Sequence, residues 1–140
     1  MAMEDNFCML EKEFSSYDKS RVVILPVPYD ATSSYVKGSD KGPRAIIKAS
    51  HNLELYDIET KRNVAERGIC TLNSLKLSKD ASKAVDCVYK NVKKLLDDSK
   101  FVVMLGGEHS ISPGAVRAFA EKYKDLSVVH IDAHADLRDS

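Results

Sequence analysis

Side chains that could bind a metal ion are concentrated in one short stretch of the chain. Asp132, His134 and Asp136 are separated only by Ala133 and Ala135. In extended backbone, alternate residues lie on one face, so the three side chains could converge. Carboxylates with an imidazole and no thiolate suit a hard to borderline divalent ion such as Mn²⁺, and zinc, iron or cobalt fit the same composition. The alternative interpretation is the solvated tip of a strand.

A further histidine, His109, follows Gly106-Gly107 at the end of the apolar run 101–105. A histidine beside a glycine turn is by itself an ordinary polar loop residue. The metal interpretation gains support because Asp132 directly continues another apolar run, where carboxylates without partners would be costly. A pair of metal ions can lower the pKa of a shared water molecule, so this chemistry needs no serine or cysteine nucleophile.

The elements around these clusters follow from the periodicity of apolar residues. Short apolar runs predict strands at 22–25, ended by Pro26 and Pro28, and at 68–72, 101–105 and 127–132. Helices are predicted from Gly42-Pro43 to near Asp57, around 85–96, and from a capping Ser112 onward. The last helix has an inward stripe made of Val116, Phe119, Ala120 and Tyr123.

Alternating strands and helices of this length predict an α/β fold with a parallel sheet and helices on both faces. The carboxyl ends of parallel strands lie at one edge of the sheet, where ligands collect. His109 and the 132–136 cluster are both expected at that edge.

Length, charge and cysteine content limit the remaining possibilities. The 140 residues suit a single domain, 1–140, in which 1–20 is a loosely ordered leader. Twenty-one basic residues balance twenty-one acidic ones, which argues against a nucleic-acid or membrane-surface partner. The chain has no secretory signal or membrane-length apolar run, and its three cysteines lack C-x-x-C spacing. A cytoplasmic protein acting on a small molecule is expected.

Two motifs and an amino-terminal block together resemble a known family. Gly106-Gly107-Glu108-His109-Ser110 and Asp132-Ala133-His134-Ala135-Asp136 are similar to the first two metal motifs of the ureohydrolases, the arginase and agmatinase family. The block Val27-Pro28-Tyr29-Asp30-Ala31-Thr32, with Gly42-Pro43-Arg44-Ala45-Ile46, is more similar to agmatinases than to arginases.

The resemblance implies a three-layer α/β/α fold and a dinuclear manganese centre that hydrolyses the guanidino group of agmatine to putrescine and urea. It assigns His109 and Asp136 to one ion, His134 to the other, and Asp132 to a bridge between them. Glu108 and Ser110 would support His109, and His130 is interpreted as a buried core histidine. Arginase or guanidinobutyrase activity is the alternative within the enzyme class.

Other features of the family have no counterpart in this sequence. The third metal motif, an Asp-x-Asp pair, is not found before Ser140, and the proton-transfer residues are expected beyond that point. The nucleophile would be hydroxide on the metal. For both reasons, no catalytic side chain is assigned in this sequence. The alternative function is a non-catalytic paralogue that assembles with a full-length ureohydrolase. The expected partners are a small guanidino substrate and either a second copy or a complementary chain, paired through an open strand edge.

Overall fold

A computed structural model describes residues 5–136 of the chain. In chain order the elements are α1 (Lys12–Ser15), β1 (Val22–Val27), α2 (Gly42–Ser50), β2 (Tyr56–Asp57), β3 (Arg62–Asn63), β4 (Ile69–Thr71), α3 (Ala81–Asp97), β5 (Phe101–Gly106) and α4 (Ser112–Lys122), with short 3₁₀ turns between them. The main sheet has the order β4-β1-β5, and both pairings are parallel. The predicted α/β fold with a parallel sheet is confirmed.

The central strand β1 runs through Pro26, whereas the sequence predicted that this proline ends the strand. The backbone groups of Ile24 and Pro26 face the β4 side, since their carbonyl oxygens accept hydrogen bonds from the N–H groups of Leu72 (2.9 Å) and Leu75 (3.0 Å). β4 has already ended at Thr71. The missing N–H of Pro26 therefore removes no bond from the ladder, and the strand can continue to Val27.

One face of β1 forms the main core with α3 and α4. Val23, Leu25 and Val27 have no exposed surface and lie in one cluster with α3 residues such as Val88 and Val92. The apolar spacing predicted for α3 is confirmed, because this stripe includes five buried positions: Ala84, Val88, Val92, Leu95 and Leu96.

The predicted stripe of α4 was wrong except at Phe119, which is half-buried and packs against the main core. Val116, Ala120 and Tyr123 are exposed, and the buried positions of the helix are Gly114 and Ala118. The reason is close packing: a side chain at Gly114 would come within 2.5 Å of the Val85 carbonyl oxygen in α3. Ser112 is also not the cap, since it is the first helical residue and no side chain caps this helix.

The opposite face of the sheet is covered by α2. Ile24 and Pro26 alternate with the core residues of β1 and so point to this second face, where Pro26 shares a cavity wall with Ile47 of α2. Helices on both faces give the three-layer α/β/α arrangement that was predicted. α2 ends at Ser50, and the chain then forms the antiparallel β2–β3 hairpin, so the helix predicted to reach Asp57 was too long.

The two strands predicted near the carboxyl half have different outcomes. The strand predicted at 101–105 is confirmed as β5, which within residues 5–136 pairs only with β1 and leaves the Phe101 side chain exposed. Residues 127–132 form no strand, and Val129 and Ile131 are 85% and 94% exposed. An apolar run becomes a strand only when another strand supplies hydrogen bonds, and the described residues supply none here.

The amino-terminal segment packs against the domain from residue 5 onward. The N–H of Phe7 donates to Thr71 Oγ1 (3.0 Å), and the N–H of Cys8 donates to Ser50 Oγ (2.8 Å). The Lys100 ammonium donates to the carbonyl oxygens of Tyr17 and Ser20. None of the described helices combines the length and apolar character needed to cross a membrane.

Candidate metal centre

His109 is positioned by the turn that leaves β5. The Gly107 N–H donates to the Val27 carbonyl oxygen (3.0 Å), and a Cβ at Gly107 would lie 2.0 Å from the Tyr29 carbonyl oxygen. Only glycine allows this approach between the two loops. A 3₁₀ turn, His109–Ile111, follows, in which Ile111 is buried and holds the turn against the core. The His109 imidazole is left open to solvent.

Three of the four predicted metal ligands come together at this turn. His109 Nδ1 lies 3.1 Å from Asp136 Oδ2 and 3.8 Å from Asp132 Oδ2. One donor atom from each of the three residues falls in a group whose members are all within 4.8 Å of one another. The predicted meeting of the two motifs at the carboxyl end of β5 therefore matches the geometry of the described residues.

His134, the fourth predicted ligand, is outside this group of three, although its Nδ1 lies 3.5 Å from the other carboxylate oxygen of Asp132, Oδ1. Its backbone N–H donates to Asp132 Oδ1 (2.9 Å), which forms a local turn, and its imidazole is 82% exposed. The expectation that 132, 134 and 136 share one face assumed extended backbone. The chain instead bends at 132–134, and Asp136 has a left-handed φ of 54°.

The turn at His134 also sets the charge state of Asp132. The hydrogen bond from the His134 N–H lowers the pKa of the Asp132 carboxyl, and the nearby imidazoles of His130 and His109 lower it further. The carboxylate form, which is the form that binds metal, is favoured by the backbone before any ion is present.

His130 was predicted to be a buried core histidine, and this was wrong. Its side chain is 49% exposed, with Nε2 3.7 Å from Asp132 Oδ2 and 3.8 Å from Asp136 Oδ2. The prediction failed because residues 127–131 lie outside the sheet, so no core surrounds them. Its position two residues before Asp132 was the signal that could have placed it beside the cluster.

Glu108 and Ser110 form side-chain hydrogen bonds with the loop after β1 and not with the His109 imidazole, which corrects the supporting role predicted for them. Glu108 Oε1 accepts a hydrogen bond from the Thr32 N–H (2.8 Å), and Oε2 accepts one from the Ser33 hydroxyl (3.3 Å). The Thr32 hydroxyl donates to Ser110 Oγ (3.2 Å). Both residues join the His109 turn to the loop after β1, so their effect on the imidazole is through the backbone.

The loop after β1 is organised around Asp30. Its carboxylate accepts hydrogen bonds from the Ser33 hydroxyl and the Gly38 N–H, and both lower the pKa of Asp30. The Lys37 ammonium, 3.9 Å away, acts in the same direction. Tyr29 is buried, and its hydroxyl donates to the Lys79 carbonyl oxygen (3.2 Å).

The donor set at the turn fits a divalent cation. Ligand atoms about 2.0–2.2 Å from one ion lie at most about 4.4 Å apart, which is close to the separations in this group. Two carboxylate oxygens and one imidazole nitrogen suit Mn²⁺ and similar ions, with water completing the coordination. His109, Asp132 and Asp136 are the residues that could hold such an ion.

Known proteins are similar to this chain in both sequence and fold. The model of the Arginase family matches residues 20–140. An N(1)-aminopropylagmatine ureohydrolase from Synechocystis sp. is 42% identical and aligns with 93% of this chain and 45% of its own length. An agmatinase from Bacillus cereus is 40% identical, and the alignment covers 92% of this chain and 45% of the agmatinase.

Solved structures agree with these sequence relatives. Agmatine ureohydrolase of Thermoplasma volcanium superposes with a TM-score of 0.83 at 38% identity, over 90% of this chain and 42% of that one. Arginase from Bacillus subtilis gives a TM-score of 0.68 at 27% identity, over 82% of this chain and 40% of the arginase chain. The chain therefore spans less than half the length of the relatives it matches. The matched motifs, the three-layer fold and the family model establish that this chain belongs to the arginase family.

Proposed function

We propose that this chain provides part of the metal centre of an agmatinase-like ureohydrolase, which hydrolyses the guanidino group of agmatine to putrescine and urea. The observation that carries the proposal is the convergence of His109, Asp132 and Asp136, whose ligand atoms lie within 4.8 Å of one another. Names of relatives, agmatinase and N(1)-aminopropylagmatine ureohydrolase, support this substrate class.

The metal we propose is Mn²⁺, with two ions in the complete site. When bound, such an ion lowers the pKa of a water molecule so that hydroxide is available near neutral pH. Asp132 would lie between the two ions, and His109 and Asp136 would bind one of them. His134, whose Nδ1 lies 3.5 Å from Asp132 Oδ1, would bind the other.

The chain's own acidic groups favour a cationic substrate. Asp132 and Asp136 are partly exposed at the mouth of the cluster, and Glu108 lies at the adjoining loop junction. A guanidinium or ammonium group is attracted to such a surface by opposite charge. Agmatine carries both groups, and its relatives arginine and guanidinobutyrate are the alternative substrates.

Metal binding and urea release together test the proposal. We expect Mn²⁺ to bind the chain saturably in a calorimetric titration, and Asp132→Ala to weaken that binding by at least about tenfold, since a charged ligand is lost. Asp125→Ala removes the same charge from an exposed position and should change nothing. Equal Mn²⁺ affinity in the two variants would contradict the metal assignment.

Activity is measured as urea formed from agmatine with added Mn²⁺. Release of urea that is lost in Asp132→Ala supports a catalytic chain. Mn²⁺ binding without urea release, combined with specific association with a longer ureohydrolase, supports the non-catalytic alternative. The observation favouring that alternative is that β5 pairs only with β1 within residues 5–136. A cytoplasmic location is part of the same proposal, supported by three cysteines that form no disulfide.

A further inference from the structure

A second polar cavity lies on the α2 side of the sheet. Its volume is about 800 Å³, and it is enclosed by α2, the loop after β4 and the amino-terminal segment. None of the three residues His109, Asp132 and Asp136 lines it. The cavity is therefore separate from the candidate metal centre.

The walls of this cavity are fixed by hydrogen bonds and apolar packing. The amino-terminal segment crosses from β4 to α2, because Phe7 N–H donates to Thr71 Oγ1 (3.0 Å) and Cys8 N–H donates to Ser50 Oγ (2.8 Å). Pro26, Ile47 and Leu72 supply apolar lining. A small molecule would thus meet a preformed apolar surface, as is usual for ligand cavities.

Basic side chains of α2 line the same cavity on one face of the helix. Arg44, Lys48 and His51 are spaced by four and three residues, which aligns them along the helix and its C-terminal cap. Among the residues 5–136 that line the cavity, Asp5 is the one acidic residue. The charge balance of the lining is positive.

These donors have no partners among residues 5–136. Arg44 and Lys48 appear in no ion pair or side-chain hydrogen bond of that range, and His51 Nε2 is buried without a hydrogen bond. A buried polar nitrogen without a partner carries a free-energy cost, so it normally has a ligand, an ion or water. Asn73 and Ser74 add further polar groups to the same lining.

We propose that this cavity is a binding site for a small organic anion, a phosphate or carboxylate carried on an apolar body. Arg44 and Lys48 would bind the anionic group by charge-assisted hydrogen bonds, with His51 as a third contact. The apolar body would pack on Pro26, Ile47 and Leu72. The ligand is opposite in charge to agmatine, so the site is not a second position for that substrate.

Phenyl phosphate and benzoate, titrated separately into the metal-free full chain, are the probes for this site. We expect saturable one-to-one binding of at least one of them, tighter than binding of inorganic phosphate because the ring covers the apolar lining. Preference between the two probes identifies phosphate or carboxylate as the anionic group. Because no metal is added, the outcome does not depend on the proposed ureohydrolase chemistry.

The matched variants are Arg44→Gln/Lys48→Gln and Lys90→Gln/Lys124→Gln. Each removes two positive charges, and the second pair is exposed and lies away from the cavity. We expect the first double variant to raise the Kd of the bound probe by about tenfold or more, as for loss of charge-assisted contacts, and the second to leave it unchanged. Circular dichroism checks that both remain folded.

An NMR spectrum of the four histidine rings locates the bound probe. We expect the His51 ring nitrogens to shift on saturation while those of His109, His130 and His134 stay in place. The proposal is overturned if neither aromatic probe binds saturably, if both double variants weaken binding equally, or if the shifts occur at His109 in place of His51.

Discussion

At the scale of single residues, the Glu108 carboxylate links the two loops that meet at the candidate metal centre. It accepts hydrogen bonds from the Thr32 N–H (2.8 Å) and the Ser33 hydroxyl (3.3 Å), one residue before His109. Replacing Glu108 by alanine leaves both donors without this acceptor and frees the His109 turn. We expect Glu108→Ala to lower the free energy of unfolding by about 1 kcal/mol and to weaken Mn²⁺ binding by about tenfold.

Two variants separate this role from a simple loss of charge. Glu108→Gln keeps an oxygen that can accept from Thr32, so it should recover most of the Mn²⁺ affinity measured by calorimetry. Glu54→Ala removes a carboxylate from an exposed position and should behave like the parent chain. If Glu108→Ala and Glu54→Ala bind Mn²⁺ equally well, Glu108 does not position His109.

Asp30 gives the chain a specific dependence of stability on pH. Hydrogen bonds from Ser33 and Gly38 lower its pKa in the folded state, so folding favours the carboxylate form. The stability that this provides is complete above the ordinary carboxyl pKa of about 3.9 and is lost as the pH falls through the lower folded pKa. We expect Asp30→Asn to be less stable than the parent at pH 6, with the difference shrinking toward pH 3.

Urea unfolding at the two pH values measures that difference. Asp40→Asn is the control, because Asp40 lies in the same loop and is exposed. The free energy of unfolding of Asp40→Asn should differ little from that of the parent, and this difference should not shrink between pH 6 and pH 3 as it does for Asp30→Asn. A gap between the parent and Asp30→Asn that is constant from pH 6 to pH 3 would contradict the role assigned to the carboxylate.

At the scale of elements, the contact between α3 and α4 depends on Gly114. A Cβ there would lie 2.5 Å from the Val85 carbonyl oxygen and 3.0 Å from the Val88 Cβ. The obstruction is backbone, so the helices must separate to admit a methyl group. We expect Gly114→Ala to lower the free energy of unfolding by about 1–3 kcal/mol, the usual range for overpacking.

Gly42→Ala is the matched control in the first turn of α2. Its added Cβ would be 3.3 Å from the Gly106 carbonyl oxygen, a milder approach that a small shift relieves. Gly42 has helical backbone angles (φ −53°, ψ −53°) directly before Pro43, where a Cβ is disfavoured, so the gain in helix propensity is smaller there than at Gly114. A lower stability of Gly114→Ala in spite of that difference would therefore be due to the clash with α3. Thermal melts should place Gly114→Ala below Gly42→Ala; the reverse order contradicts the predicted clash.

The two packed helices also show what the sequence could and could not predict. In α3 the buried face is made of large apolar residues such as Val88, Val92 and Leu96, and their spacing identified that face correctly. In α4 the buried residues are Gly114 and Ala118, chosen by the space available beside α3. Hydrophobic spacing does not detect small residues, so it selected the exposed Val116 and Tyr123.

The same limit applies to the candidate metal centre. The motifs placed His109 beside Asp132 and Asp136 because each follows a separate apolar run, and this proximity is observed. The prediction that failed was the strand at 127–132, because a strand forms only with partner strands that are distant in sequence. The exposure of His130 and the position of His134 outside the group of three both follow from that one error.

At the scale of the whole molecule, apolar side chains are exposed at β5 and in the segment 127–132 of the described domain. β5 pairs only with β1 within residues 5–136, and Phe101 at its start is 63% exposed. Val129 and Ile131 add further exposed apolar area. Unpaired strand edges and contiguous apolar patches promote association with other chains. We therefore expect the 140-residue chain to self-associate, with the weight-average mass in sedimentation rising above 15.6 kDa as concentration increases.

Proline substitutions in β5 test whether this association uses the strand edge. The N–H groups of Phe101 and Gly107 donate to Arg21 (2.8 Å) and Val27 (3.0 Å), so by alternation the N–H of Val103 faces β1 and that of Val102 faces the open edge. Val103→Pro should lower the free energy of unfolding by at least about 1 kcal/mol through loss of a ladder bond. Val102→Pro should keep more stability and shift the chain toward the monomer. Association of a folded Val102→Pro variant at parental strength would exclude the β5 edge as the interface, and the apolar segment around Val129 and Ile131 would then be the surface to substitute next.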